Sequence, residues 1–313
     1  MMAPFRFLVD ESSWSDLAEF SLDEVEDLFH NLADCIQRAK ERDERVAKFS
    51  DIWEFSVGDE SVYDWLYLKE EVDWNARRRV YSILDKLPCW DEQLDCPFLE
   101  YERRGVTTLG PSVSLAHHFI TKRLAVGLFP LCFREFGGPD DVTVAEVTHQ
   151  LHFVTNEREH REFFRAAIEL ERVTAKRFEA LARSAFPDLS WADSVFKDIN
   201  NFSKPFIAVR DTVVGHLSVL NDDASRIFAE KLATAPSEIE TLLASAGVTA
   251  SDENSKVKSN NEARRARTRQ VDGEDYIFYW HTKLEPHIDR IHFLYDQDSH
   301  KVIVGLFTTH CEP

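Results

Sequence analysis

Residues 276–308, Y-I-F-Y-W-H-T-K-L-E-P-H-I-D-R-I-H-F-L-Y-D-Q-D-S-H-K-V-I-V-G-L-F-T, read as three strands and two connections. Strand-like runs occupy Tyr276–Lys283, Arg290–Tyr295 and Lys301–Thr308, and Asp296-Gln-Asp-Ser-His300 joins the last two as a five-residue hairpin turn. Side chains alternate sides along a strand, so each run sorts into two faces. Phe278 and Trp280 share the natural core side of the first run, and Ile291, Phe293 and Tyr295 that of the second. The opposite side presents His281 and Lys283 from one run and Arg290 and His292 from the next, with His287 in the link between them. The third run, V-I-V-G-L-F, is apolar on both sides and suits a central strand.

Upstream of these strands, Ser251–Asn261 is polar with hardly any core-forming residue and reads as an exposed connector. The stretch before it, about 156–248, is mostly helical. Asn156-Glu-Arg-Glu159 opens a long helix through Phe163, Phe164, Ala167, Ile168, Phe178 and Leu181 that ends before Pro187. Further helices fit Ser203–Leu220 and Asp223–Leu232, and Ser237-Glu-Ile-Glu240 is a capping box for another that closes at Gly247. Residues 1–155 read as one α/β unit. It has a strand over Phe5–Val9, a helix capped by Ser21 and Glu24, a helix over Trp74–Leu87, and strands at Leu124–Phe129 and Val142–Val154. The expected fold is therefore α+β. An acidic α/β domain (1–155) precedes a helical region (156–248) and a basic arm with a small antiparallel sheet module (249–313).

Hydrophobic residues at 43% and aromatics at 12% suffice for a substantial core. The net charge of −19 is unevenly placed, with 25 Asp and Glu against 11 Lys and Arg in residues 1–100. Such a surface repels phosphate, so the N-terminal part is a poor nucleic-acid site and is either a docking face for a basic protein partner or simply a solvated surface. Five cysteines without C-x-x-C spacing form neither a disulfide framework nor a structural zinc site. The N-terminus lacks a leader-like apolar region, and no run is long enough to span a bilayer, so a cytoplasmic protein without membrane contact is expected.

The chemistry suggested by the C-terminal strands is proton transfer beside bound phosphate. Histidine is suited to proton transfer near neutral pH, and Lys and Arg to holding phosphate as its charge develops. His281, His287 and His292 would move protons while Lys283 and Arg290 hold the phosphate, which amounts to metal-independent cleavage of RNA with no cofactor. Lys256, Lys258, Arg264, Arg265, Arg267 and Arg269 lie just upstream with only Glu262 opposing them within 256–269. That local excess is the expected hold on a nucleic-acid backbone. The plainer alternative is a polar strand face whose cations pair with Glu285 and Asp289.

The order H-x-K-L, R-I-H-F, a hairpin and then K-V-I-V-G-L-F-T-T-H resembles the C-terminal sheet of RelE/ParE-type toxins, over about 35 of the 313 residues. The resemblance implies a ribonuclease-like effector module, with His281, Lys283, Arg290 and His310 as its functional set, fused to a larger body as in toxin–antitoxin or anti-phage defence proteins. Those toxins are usually single small domains, which this chain is not. Arg210-Asp-Thr-Val-Val-Gly-His216 is similar to the Arg-polar-x4-His pattern of HEPN ribonucleases, though a surface Arg and a helix-capping His are the preferred reading of these residues. The strand F-L-V-D-E-S-S, residues 7–13, resembles the first strand of PIN-type nucleases, which implies a metal-binding role for Asp10. The expectation is a nucleic-acid-directed effector that cleaves RNA without metal. The alternatives are a non-catalytic adaptor or sensor that binds nucleic acid and a protein, and a metal-dependent PIN-like nuclease at Asp10.

Overall fold

The structure is a computed structural model that describes residues 5–57, 59–94, 96, 98–131, 137–231, 235–284 and 288–309. It is a mixed α+β fold with a small C-terminal sheet. The chain forms two compact units, Met1–Glu171 and Arg172–Pro313.

In the N-terminal unit, β1 (Phe7–Asp10) is buried along its whole length. The helix α1 (Leu22–Glu41) starts at a capping box in which Ser21 and Glu24 each satisfy the other's backbone N–H, and its Val25, Phe29, Leu32 and Ile36 stripe is buried. There follow β2 (Val46–Ala47), the short pair β3 (Ser56–Val57) and β4 (Glu60–Ser61), α2 (Val62–Tyr67) and α3 (Trp74–Leu84). Next come β5 (Glu100–Arg103), β6 (Val106–Leu109), α4 (Pro111–Thr121), β7 (Gly127–Pro130), β8 (Gly138–Val144), β9 (Val147–Phe153) and α5 (Glu157–Leu170). Seven strands pair in the order β2-β1-β7-β9-β8-β5-β6. The first four are parallel and the rest antiparallel. One face packs Leu8, Leu128 and Leu151 with Val113, Ala116 and Phe119 of α4. On the other, Phe7 stacks on Phe129 at 4.5 Å and meets Phe163 of α5 at 4.8 Å.

The C-terminal unit begins with α6 (Ala175–Ala185), β10 (Leu189–Trp191) and α7 (Phe206–Val219). The last of these runs through a π turn (Leu220–Ala224) into α8 (Ser225–Lys231). After α9 (Pro236–Ser245) come β11 (Ala250–Ser251), α10 (Ser255–Ser259), α11 (Asn261–Ala266) and the hairpin of β12 (Thr268–Val271) with β13 (Glu274–Ile277). The chain then forms β14 (Trp280–Lys283), β15 (Asp289–Asp296) and β16 (Lys301–Thr309). The sheet order is β10-β16-β15-β14-β11. Phe228 of α8 covers one face through Trp280, Phe293 and Tyr295.

Four expectations are corrected. The long helix expected from Asn156 to Pro187 is two helices. Glu171 is turned toward the N-terminal unit, where its carboxylate accepts hydrogen bonds from Arg6 at 2.7 Å and the Ala125 N–H at 3.2 Å. Arg172 then takes a left-handed φ of 48° that no helix continues. The unit boundary falls there, in place of the expected one at 155. Secondly, the helical middle and the sheet module are one unit, because β10 pairs with β16 and α8 supplies the core of the sheet. Finally, the supposed connector at 251–261 is ordered. Asn254 and Asn260 cap α10 and α11, and Val257 and Ala263 are buried beneath them. The expected capping box at Ser237 also differs, since α9 starts at Pro236 without a side-chain cap.

Candidate functional site

Strands β14 and β15 pair antiparallel with His281 opposite His292 and Lys283 opposite Arg290. The two imidazole centroids lie 5.1 Å apart. Alternation along the strands thus brings His281, Lys283, Arg290 and His292 to one side, as expected. What differs is the covering of that side. His281 is 3%, Arg290 8% and His292 0% exposed, while Lys283 is half-buried. The expected open cationic surface is a buried centre. His287 and His310 lie outside the described residues.

The cover is the segment between β11 and β14, which the sequence presents as a connector and a basic arm. Its Glu253 reaches into the centre, where one carboxylate oxygen accepts from Arg267 Nε at 3.0 Å and Nη2 at 2.8 Å. The same oxygen lies 3.7 Å from His281 Nδ1 and 3.9 Å from Arg290 Nη1. Phe278 sits on this side too. Its N–H donates to the Arg267 carbonyl at 3.0 Å, so the chain breaks between β13 and β14 instead of running as one strand.

The histidine environments are specific. The Phe278 carbonyl accepts from His292 Nδ1 at 3.1 Å, so the proton of this ring sits on Nδ1. Ser251 Oγ lies 3.2 Å from His281 Nε2. His281 Nδ1 and His292 Nε2 are buried and have no hydrogen-bond partner among the described residues. Burial first, and then the Arg290 guanidinium, hold His281 down to about 3. Burial first, then His281, keeps His292 well below its ordinary value. Both rings are therefore neutral at physiological pH. Neutral imidazoles with bare nitrogens beside a carboxylate are metal-ligand chemistry more than acid–base chemistry. Glu253, His281 and His292 each offer a donor atom, all within 4.8 Å of one another.

The six cations at 256–269 divide into two groups. Lys256, Arg264 and Arg265 are exposed. Lys258 pairs with Asp252 at 2.5 Å, Arg267 with Glu253, and Arg269 with Asp198 at 3.3 Å, so half of the expected phosphate-binding set is engaged within the unit.

The other sequence candidates have other surroundings. Asp10 is buried, accepts from the Ser12 N–H at 3.1 Å and from Ser12 Oγ, and belongs to no group of three metal-ligating side chains among the described residues. Its role there is to turn β1 into the following 3-10 helix. Arg210 pairs with Asp211 at 2.7 Å, and His216 bonds Thr282 Oγ1 at 2.9 Å on the opposite face of β14. His216 is thus a packing contact of the sheet and not a helix cap. Glu253, Ser251 and the Phe278 carbonyl escape sequence reading; the one signal for Glu253 is an acidic residue directly before the capping Asn254.

The chain was compared with models of protein families, with curated proteins and with solved structures, and none matches it.

Proposed function

We propose that the C-terminal unit binds nucleic acid through the outer side of the segment that covers the buried centre. The observation that carries this reading is a division of labour within residues 253–267. Glu253 and Arg267 point inward, whereas Lys256, Arg264 and Arg265 stay exposed on two short successive helices. A phosphate backbone held by those three cations would lie over the centre and bear on the segment that closes it. In a chain of net charge −19, an exposed cationic group of this kind is compatible with a polyanion where the acidic surface is not.

The test is binding of a single-stranded RNA oligonucleotide across a salt series, with the triple variant Lys256→Glu, Arg264→Glu and Arg265→Glu beside the parent chain. Affinity should fall linearly with salt on logarithmic axes. The variant should lose most of the affinity and about 2 units of slope, given ~0.7 per phosphate contact for a single strand. Unchanged affinity in the variant, or no binding at low salt, sinks the proposal.

Cleavage of that RNA is a second reading, favoured by the pairing of His281 with His292 and of Lys283 with Arg290. It requires the covering segment to lift, because a scissile phosphate cannot reach a fully buried His292. Cleavage that disappears in His292→Ala while binding persists would establish it.

A further inference from the structure

Two buried imidazole nitrogens without partners call for an explanation, because a buried polar atom left unsatisfied costs roughly 1–3 kcal/mol. In His292 the Nδ1 proton is committed to the Phe278 carbonyl, so Nε2 presents a bare lone pair. In His281 the Ser251 hydroxyl, 3.2 Å from Nε2, and the Tyr279 backbone hold the ring, and with the proton on Nε2 the unpartnered Nδ1 offers its lone pair. Each ring is thus oriented by its far nitrogen and offers the near one, as outer partners orient metal-ligating histidines. The third donor, Glu253, comes from the covering segment, 3.7 Å from His281 Nδ1, and each of the three residues has a ligand atom within 4.8 Å of one on each of the others.

We infer that Glu253, His281 and His292 form a binding site for one divalent transition-metal ion. Two imidazoles and one carboxylate suit zinc and its first-row neighbours; calcium and magnesium favour all-oxygen sets. Three protein ligands leave at least one coordination position for water or an anion, the pattern of an open and not a purely structural zinc site. Arg267 does not displace the ion, since a carboxylate has about four lone-pair positions and its described bonds to Arg267 use one oxygen. The guanidiniums of Arg267 and Arg290 nearby weaken the site, since each repels a cation held by Glu253. The ion would tie the covering segment, through Glu253, to the two strands beneath it. This inference stands independently of nucleic-acid binding and replaces the expectation of a site without metal.

The experiment is titration of the metal-free full chain with Co²⁺ and Zn²⁺, followed by calorimetry and by the visible absorption of Co²⁺. One equivalent should bind, with a visible spectrum of low coordination number. His281→Gln and His292→Gln should each lose at least tenfold in affinity. Ser251→Ala, which removes only the outer partner of His281, should weaken binding by about tenfold. Should the histidine variants fail to fold, X-ray absorption of the Zn²⁺-loaded parent chain decides the matter, by showing two imidazoles and oxygen ligands. No binding at tenfold excess metal, full affinity in both histidine variants, or a sulfur ligand in the absorption spectrum overturns the site. Repeating the RNA salt series with EDTA separates the two proposals, since loss of the metal site leaves the Lys256, Arg264 and Arg265 surface intact.

Discussion

Phe278 lies face-on against Gly305, so close that a Cβ on that glycine would fall well inside van der Waals contact of three ring atoms. This contact seats the break between β13 and β14, together with the Phe278 N–H bond to the Arg267 carbonyl. It also positions the Phe278 carbonyl that takes the His292 proton. The glycine sits where the β15–β16 register shifts between His292 and Phe293, so the bulge and the ring fit each other.

Gly305→Ala should therefore cost about 1–3 kcal/mol, the usual range for overpacking a closed core. Combining it with Phe278→Leu should cost less than the sum of the two single changes, because the smaller side chain admits the new methyl group. Urea denaturation of the four proteins in this cycle measures the coupling. Strict additivity would show that the two residues do not share the space.

Arg267 and Glu253 form the least exposed ion pair of the centre, at 1% and 7% side-chain exposure. Arg267→Met leaves a buried carboxylate without its main partner and should cost about 3–5 kcal/mol. Replacing both, with Arg267→Met and Glu253→Leu, should recover most of that loss, since apolar replacement of a buried pair is often near neutral. Denaturation midpoints of the single and double variants decide it, and equal losses in both would mean that the pair contributes more than it costs to bury.

Much of this centre can be read from the chain, and the unread part has physical causes. Alternation with a period of two places His281 and His292 on one side once the strands pair, so the shared face is legible, while the pairing of one with the other comes from the structure. Exposure is not legible, because a polar strand face reads as a solvent face unless the sequence also shows what lies on it. Here the cover carries Glu253, 28 residues before His281, in a stretch whose polarity suits capped short helices as well as a loop. The break at Phe278 is hidden for a related reason: the alternation of Tyr276–Lys283 continues through it, and only the contact with Gly305 shows that the ring belongs to the histidine side. The division of the helix after Leu170 depends on Glu171 meeting Arg6, which is 165 residues away.

Ser21 and Glu24 cap α1, the longest helix among the described residues, and their box satisfies two backbone N–H groups at its start. Ser21→Ala should lower stability by about 1 kcal/mol, and Ser21→Gly by less, since glycine is itself a fair N-cap residue. Thermal denaturation of the two variants checks the order. A larger loss for glycine would assign the effect to backbone freedom and not to the lost cap.

Glu11 is fully buried beside Asp10. One of its oxygens accepts the Ser112 N–H at 2.7 Å near the start of α4, and the other has no partner among the described residues. Burial first, and then the Asp10 carboxylate, push Glu11 from 4.5 up to about 8. The folded chain therefore keeps this proton at pH 7, where the unfolded chain has released it. Stability from this group is fully present below about 4.5, falls as pH rises from about 4.5 to about 8, and is level above that. The slope in that window is ~1.4 kcal/mol per pH unit. Glu11→Gln retains an oxygen for the Ser112 N–H and has no proton to lose. It should be more stable than the parent at pH 8 by a few kcal/mol and nearly equal to it at pH 4. Urea midpoints of the two proteins from pH 4 to pH 9 measure the difference. A gap that stays constant across this range would show that Glu11 is ionised in the folded chain, with the Ser112 N–H and the α4 terminus outweighing burial.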